Sequence, residues 1–140
     1  MSIEAEIRNY LAGVGGVTAL VSTRIYQLVS PQHPTYPLIR IQEIDEFERQ
    51  HLTAPAGLFR TRLQIDAYVD ARTPDPYTAA TAIGDAVHAA LAATVSGTLG
   101  SSPALVIGGI FLQDRAAGYE AEELRLIRER RDYTVQYAPL

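Results

Sequence analysis

From Gly57 to Asp70 the chain alternates without a break. Phe59, Thr61, Leu63, Ile65, Ala67 and Val69 share one parity, and Arg60, Arg62, Gln64, Asp66, Tyr68 and Asp70 share the other. Successive side chains on a strand point to opposite faces, so this pattern predicts a strand with one apolar and one charged face. Leu38–Phe47 predicts a second strand, whose alternation slips at Glu43 and Ile44, where a bulge is expected. The polar stretch Glu48–Gly57 joins the two. The pair is therefore expected to be a long antiparallel hairpin with an elaborate tip. Leu105–Leu112 predicts a strand with glycines in its middle, and Asp114–Glu123 an acidic connection. Leu124–Tyr137 predicts a long last strand, with Ile127, Tyr133, Val135 and Tyr137 inward and Arg128, Arg130, Asp132, Thr134 and Gln136 outward.

Helical spacing appears in two places. Ile3, Ile7, Tyr10 and Leu11 fall on one helix face, with Ser2 as a candidate N-cap and Glu4 and Glu6 where the helix dipole favours anions. Gly13–Gly16 stops that helix, and Val17–Ser22 predicts a short second turn. Arg24–Val29 predicts a short edge strand, ended by Pro31, Pro34 and Pro37, which cannot donate to a ladder. After the turn Thr73–Pro76, Tyr77, Ala80, Ile83, Gly84, Val87, Ala90 and Leu91 form a stripe of mostly small residues down an Ala-rich helix. Ser96–Pro103 reads as a flexible Gly/Ser loop. The expected fold is α+β: a mostly antiparallel sheet with a long hairpin, packed on one face by an N-terminal helix and the long Ala-rich helix. Residues 1–140 are expected to form a single domain.

Composition narrows the chemistry. A chain of 140 residues buries roughly 70% of its unfolded surface and needs no metal or disulfide staple. It has no cysteine, which removes disulfides and thiolate chemistry, and no lysine, which removes a Walker A lysine and Schiff-base chemistry. A net charge of −4 argues against coating by nucleic acid, because phosphate binding needs concentrated positive charge. Met1–Tyr10 lacks the basic start and apolar run of a signal peptide, and no apolar run reaches the length of a membrane span. The expectation is a protein made in the cytoplasm, kept there or released by lysis, with no membrane partner.

Candidate chemistry is sparse. His33, His51 and His88 form no His-x-His or His-Glu-x-x-His spacing, so no metal site is expected. Gly13, Gly15 and Gly16 follow a helix, whereas a phosphate loop follows a strand. Asp66 and Asp70 on one strand face, and the adjacent Glu122 and Glu123, read as solvated charges rather than a sheltered catalytic pair. No catalytic residue and no cofactor are expected. Arg60, Arg62, Arg128 and Arg130 stand out, since all four fall on outward strand faces and guanidinium forks suit interfaces. The hairpin-tip residues His51, Leu52 and Thr53 and the acidic Glu122 and Glu123 complete the candidate interface.

The chain also resembles a known family. "VTALVSTRIYQLVSPQ" at 17–32, "YPLIRIQEI" at 36–44, "TAPAGLFRTRLQIDAYVD" at 53–70 and "IGGIFLQDRAAGYEAEELRLIRERRDYTVQY" at 107–137 carry the resemblance. Their order is an R-x-Y strand, a P-L-I strand, an R-x-Q-I-D strand, an Ala-rich helix and a Y-x-V-x-Y terminal strand. It is similar to the tail-terminator (tail-completion) proteins of long-tailed phages and phage-like particles. The resemblance implies a structural virion component assembled in the host cytoplasm. It implies a homo-hexameric ring between the tail tube protein and the head–tail connector or stopper protein, with DNA only passing through the lumen. A neighbouring neck component, such as a head-completion or stopper protein, and a small ligand-binding or enzymatic α+β domain are the alternatives.

Overall fold

The computed structural model describes residues 3–32, 34–50, 55–93, 98–99, 105–121 and 125–139. The elements run Ile3–Ala12 (α1), Gly15–Val21 (α2), Ile25–Gln27 (β1), Leu38–Gln50 (β2), Pro55–Asp70 (β3), Pro76–Ala92 (α3), Thr98–Leu99 (β4), Leu105–Ala121 (β5) and Leu126–Pro139 (β6). The strands form one sheet in the order β1-β2-β3-β6-β5-β4. Among the described residues, only β1 against β2 is parallel. The expected α+β class is what the structure has.

The alternation of β3 explains the layering. Thr61, Leu63, Ile65, Ala67 and Val69 are buried on one face, together with Tyr133, Val135 and Tyr137 of β6. All three described helices pack on that inner face: Ile3, Ile7 and Leu11 from α1, Val17 and Val21 from α2, and Ala80, Ile83, Val87, Ala90 and Leu91 from α3. Burying an Ile, Leu or Val side chain contributes about 1.5–3 kcal/mol, so this layer carries most of the fold's stability. Tyr10 donates its hydroxyl hydrogen to the carbonyl of Ala90 at 2.8 Å and ties α1 to α3.

Several boundaries differ from the expectation. The second turn is a helix that starts two residues earlier, at Gly15. The hairpin strands run into the supposed loop Glu48–Gly57, to Gln50 on one side and from Pro55 on the other. The tip is therefore short, and His51, Leu52 and Thr53 lie outside the described residues, as do Ser2 and most of Ser96–Pro103. The bulge at Ile44 is present, as a register shift between Glu43 and Asp45. The largest correction concerns the expected connection Asp114–Glu123, of which Asp114–Ala121 is strand: β5 pairs with β6 as far as Ala121. Its period of two was hidden by register shifts that insert Gly108, Gln113 and Glu120, each of which reverses the parity of the residues after it.

Candidate functional site

The outer face of the sheet is where the candidate arginines lie. Antiparallel pairing places Arg60 opposite Gln136, Arg62 opposite Thr134, Arg130 opposite Asp66 and Arg128 opposite Tyr68. The face is thus shared, but the two arginine pairs occupy opposite ends of it. Arg62 and Asp66 are four residues apart on β3, about 13 Å at strand rise. Glu122 and Glu123 lie outside the described residues.

At one end the outer face is closed. Tyr68, Leu38 and Leu126 form a small second core, covered by Tyr26 and Tyr36 from the segment around β1 and the prolines. Beside it Asp66 has a fully buried side chain. Arg128 Nε donates to Asp66 Oδ1 at 3.2 Å, Arg40 Nη2 to Oδ2 at 3.4 Å and Gln64 Nε2 to Oδ2 at 3.1 Å. Arg40 also lies over the ring of Tyr68, 5.2 Å from its centroid. Asp66 is therefore not the solvated charge expected of it, because two guanidinium groups compensate a buried carboxylate. Asp70 does behave locally, and its hydrogen bond from Arg72 holds its carboxyl below the usual range. Arg130 meets Asp114 at 3.3 Å and Asp132 at 3.8 Å.

On the inner face at the same end lies a charged group that reading the alternation passed over. Glu129 and Arg131 share the inward parity of Ile127 and Tyr133, and both are buried beneath α3. Arg131 Nε donates to Glu129 Oε1 at 2.6 Å and Arg131 Nη2 to Asp85 Oδ1 at 2.7 Å. Arg115 Nη2 donates to Glu129 Oε2 and to Thr81 Oγ1, each at 3.1 Å. Gly84 makes room for the pair: a Cβ there would stand 2.1 Å from Glu129 Oε1 and 2.7 Å from Arg131 Nε. Parity, together with a glycine inside the apolar stripe of α3, was the signal that could have found this network.

At the other end, toward the hairpin tip, the outer face is open. Leu58, Arg60, Val106, Gln136 and Ala138 line a groove of about 220 Å³. Leu58 and Phe111 are about half exposed. Arg62 meets Asp45 at 3.4 Å with both side chains more than half in solvent, a pair that contributes little to stability. On the inner face here, Tyr137 donates to the Glu46 carboxylate, and burial followed by this bond pushes the phenol's pKa up. His88 is exposed on α3, with Nδ1 3.2 Å from the Tyr133 hydroxyl. His33 and His51 lie outside the described residues. Among the described residues, no group of three or more His, Asp or Glu is placed to hold a metal. None of their helices is long and apolar enough to cross a membrane.

The described residues thus form a sheet with helices on one face, buried carboxylates matched by arginines, and an open end of mixed apolar and arginine character. The family described as Tail completion protein gp17 matches residues 5–128, and the chain belongs to it. It is accordingly a structural protein of the tail of a phage or phage-like virion, not an enzyme. A solved chain from a structure described as the virion of a native gene transfer agent particle shares the fold. It superposes with a TM-score of 0.75 at 19% identity, covering 98% of this chain and 95% of that one. No curated protein matches the chain.

Proposed function

We propose that this protein terminates the tail: a hexameric ring at the head-proximal end of the tube that stops tube polymerisation and receives the head–tail connector. The observation that carries the reading is tail-completion family membership over most of the chain. The open end of the outer face, with Leu58, Val106 and Phe111 beside Arg60 and Arg62, supplies a surface suited to neighbours. A net charge of −4 suits a lumen that must let DNA pass without holding its phosphates. Head-to-tail contacts that close by rotation give such a ring.

Electron microscopy of particles lacking the gene tests this. Overlong tails that join no head are expected. Tails of normal length beside unjoined heads would favour a head-completion or stopper role instead. The two arginine pairs should separate in the same assay. Arg128 holds the buried Asp66, so its replacement should weaken the subunit itself. A double Arg60→Ala, Arg62→Ala variant should fold normally and impair tail completion. Normal tails and joined heads from that variant would remove Arg60 and Arg62 from the interface.

A further inference from the structure

The sheet has two long edges that nothing among the described residues pairs. β1 covers β2 only from Ile39 to Ile41, and the Glu4 carboxylate takes the N–H of Glu43 at 2.8 Å. β2 from Ile44 to Gln50 is left at the sheet margin. On the opposite side β4 covers only Leu105 and Val106, leaving β5 from Ile107 to Ala121. Unpaired edges recruit further strands, and proteins blunt them with proline, lysine or bulges. Neither margin contains proline or lysine. Bulges are present, but they leave Asp114–Tyr119 of β5 unbroken and, nearer the hairpin tip, one unbroken run on each margin: Asp45–Glu48 on β2 and Gly109–Leu112 on β5.

These two runs lie at the same height. Asp45 pairs with Arg62, Arg62 with Thr134 and Thr134 with Phe111; likewise Glu46, Thr61, Val135 and Ile110 form one row. The four strands β2, β3, β6 and β5 alternate in direction. A second copy placed beside β5 by its β2 would therefore continue the antiparallel order with its run level with the first. Charge selects this pairing. The β2 run carries Asp45, Glu46 and Glu48, whereas the β5 stretch Ile107–Leu112 carries no charge. Pairing β2 with β2 would set carboxylates against carboxylates, while β5 offers them an uncharged neighbour. Exposed apolar side chains stand at both margins, Ile44 on one and Phe111 and Leu112 on the other.

We infer that copies of this chain join by sheet continuation, the Gly109–Leu112 edge of one against the Asp45–Glu48 edge of the next, so that the ring is held by backbone hydrogen bonds between subunits. The inference rests on the ring reading above. The absence of cysteine makes a direct test possible. Phe111→Cys is combined with Ile44→Cys or with Asp45→Cys, all exposed positions, and assembled particles are oxidised and run on a non-reducing gel. Adjacent strands bring Cα atoms within disulfide range, about 4.4–6.8 Å. A ladder of multimers from at least one double variant, with each single variant remaining monomeric, is expected. Dimers from Phe111→Cys alone would mean a two-fold β5–β5 contact and overturn the inference. Incorporated but uncross-linked protein would overturn it while leaving the terminator reading intact. Absence of the protein from tails would instead overturn the terminator reading. Oxidation of concentrated purified double variants would then decide the edge contact, a ladder upholding it and monomers rejecting it.

Discussion

The two ends of the sheet use the same residue types to opposite effect. At the closed end, arginines meet a fully buried carboxylate on each face: Arg40 and Arg128 on Asp66 outside, Arg131 and Arg115 on Glu129 inside. Those carboxylates have been taken from solvent and must be matched, so Glu129 and its partners fix how α3 lies on the sheet. At the tip end, Arg62 and Asp45 meet in solvent and constrain little. The difference comes from what lies over the strand, not from the charge itself. An arginine matched to a buried carboxylate is architecture, and one paired in the open constrains the fold little.

Breaking the closed end should have the largest effect. Glu129→Ala leaves the buried Arg131 with Asp85 as its remaining carboxylate and takes from Arg115 its buried carboxylate. A loss of about 3–5 kcal/mol is expected, a fall of about 10–17 °C in unfolding midpoint for a chain of this size. Arg62→Ala at the tip end should change stability by less than about 1 kcal/mol. Urea or thermal unfolding of the two variants side by side measures the contrast, and equal effects would erase it.

Gly84→Ala sharpens the same point with a reversed sign. In an ordinary helix interior, alanine in place of glycine is favourable by about 1 kcal/mol. Here the added methyl meets Glu129 Oε1 and Arg131 Nε at distances that real contacts do not show. The pair must move or α3 must lift, and a net loss of about 1–3 kcal/mol is expected. A stabilised Gly84→Ala variant would show that α3 does not press on the ion pair.

The sequence made the layers legible because β3 and the tip half of β6 alternate cleanly and pair with each other in unshifted register from Phe59 to Asp70. It made the extent of β5 illegible because Gly108, Gln113 and Glu120 each reverse the phase, and a run of Ala and Gly has no strand preference of its own. The inward Glu129 and Arg131 are illegible to alternation because charge ordinarily marks a solvent-facing position, which holds for single residues and fails for matched pairs. The outward arginines were placed on the right face. Their division between a covered and an open end depends on the segment between β1 and β2, whose path no periodicity announces. The assembly role was legible through the ordered family segments, not through any cluster of chemistry.

The smallest expected effect belongs to Glu43, on the inner face of β2 where the tip end begins. Burial, and then the nearby Glu46, Glu4 and Asp45 carboxylates, push its pKa above the ordinary value near 4.5. A carboxyl whose pKa is raised by folding binds its proton more tightly in the folded chain. Its ionisation therefore weakens the fold. The weakening is absent below the unfolded pKa and complete once the pH has passed the raised folded value. Glu43→Gln should thus be more stable than the parent at pH 7, by no more than about 0.5 kcal/mol, the usual limit for a partly exposed position. At pH 4 the two should converge, since the parent is then largely protonated at this site. Urea unfolding at both pH values reads the difference. A gap that persists at pH 4 would mean that shape rather than charge makes glutamine the better residue, and the like-charge crowding assigned to this end of β2 would have to be withdrawn.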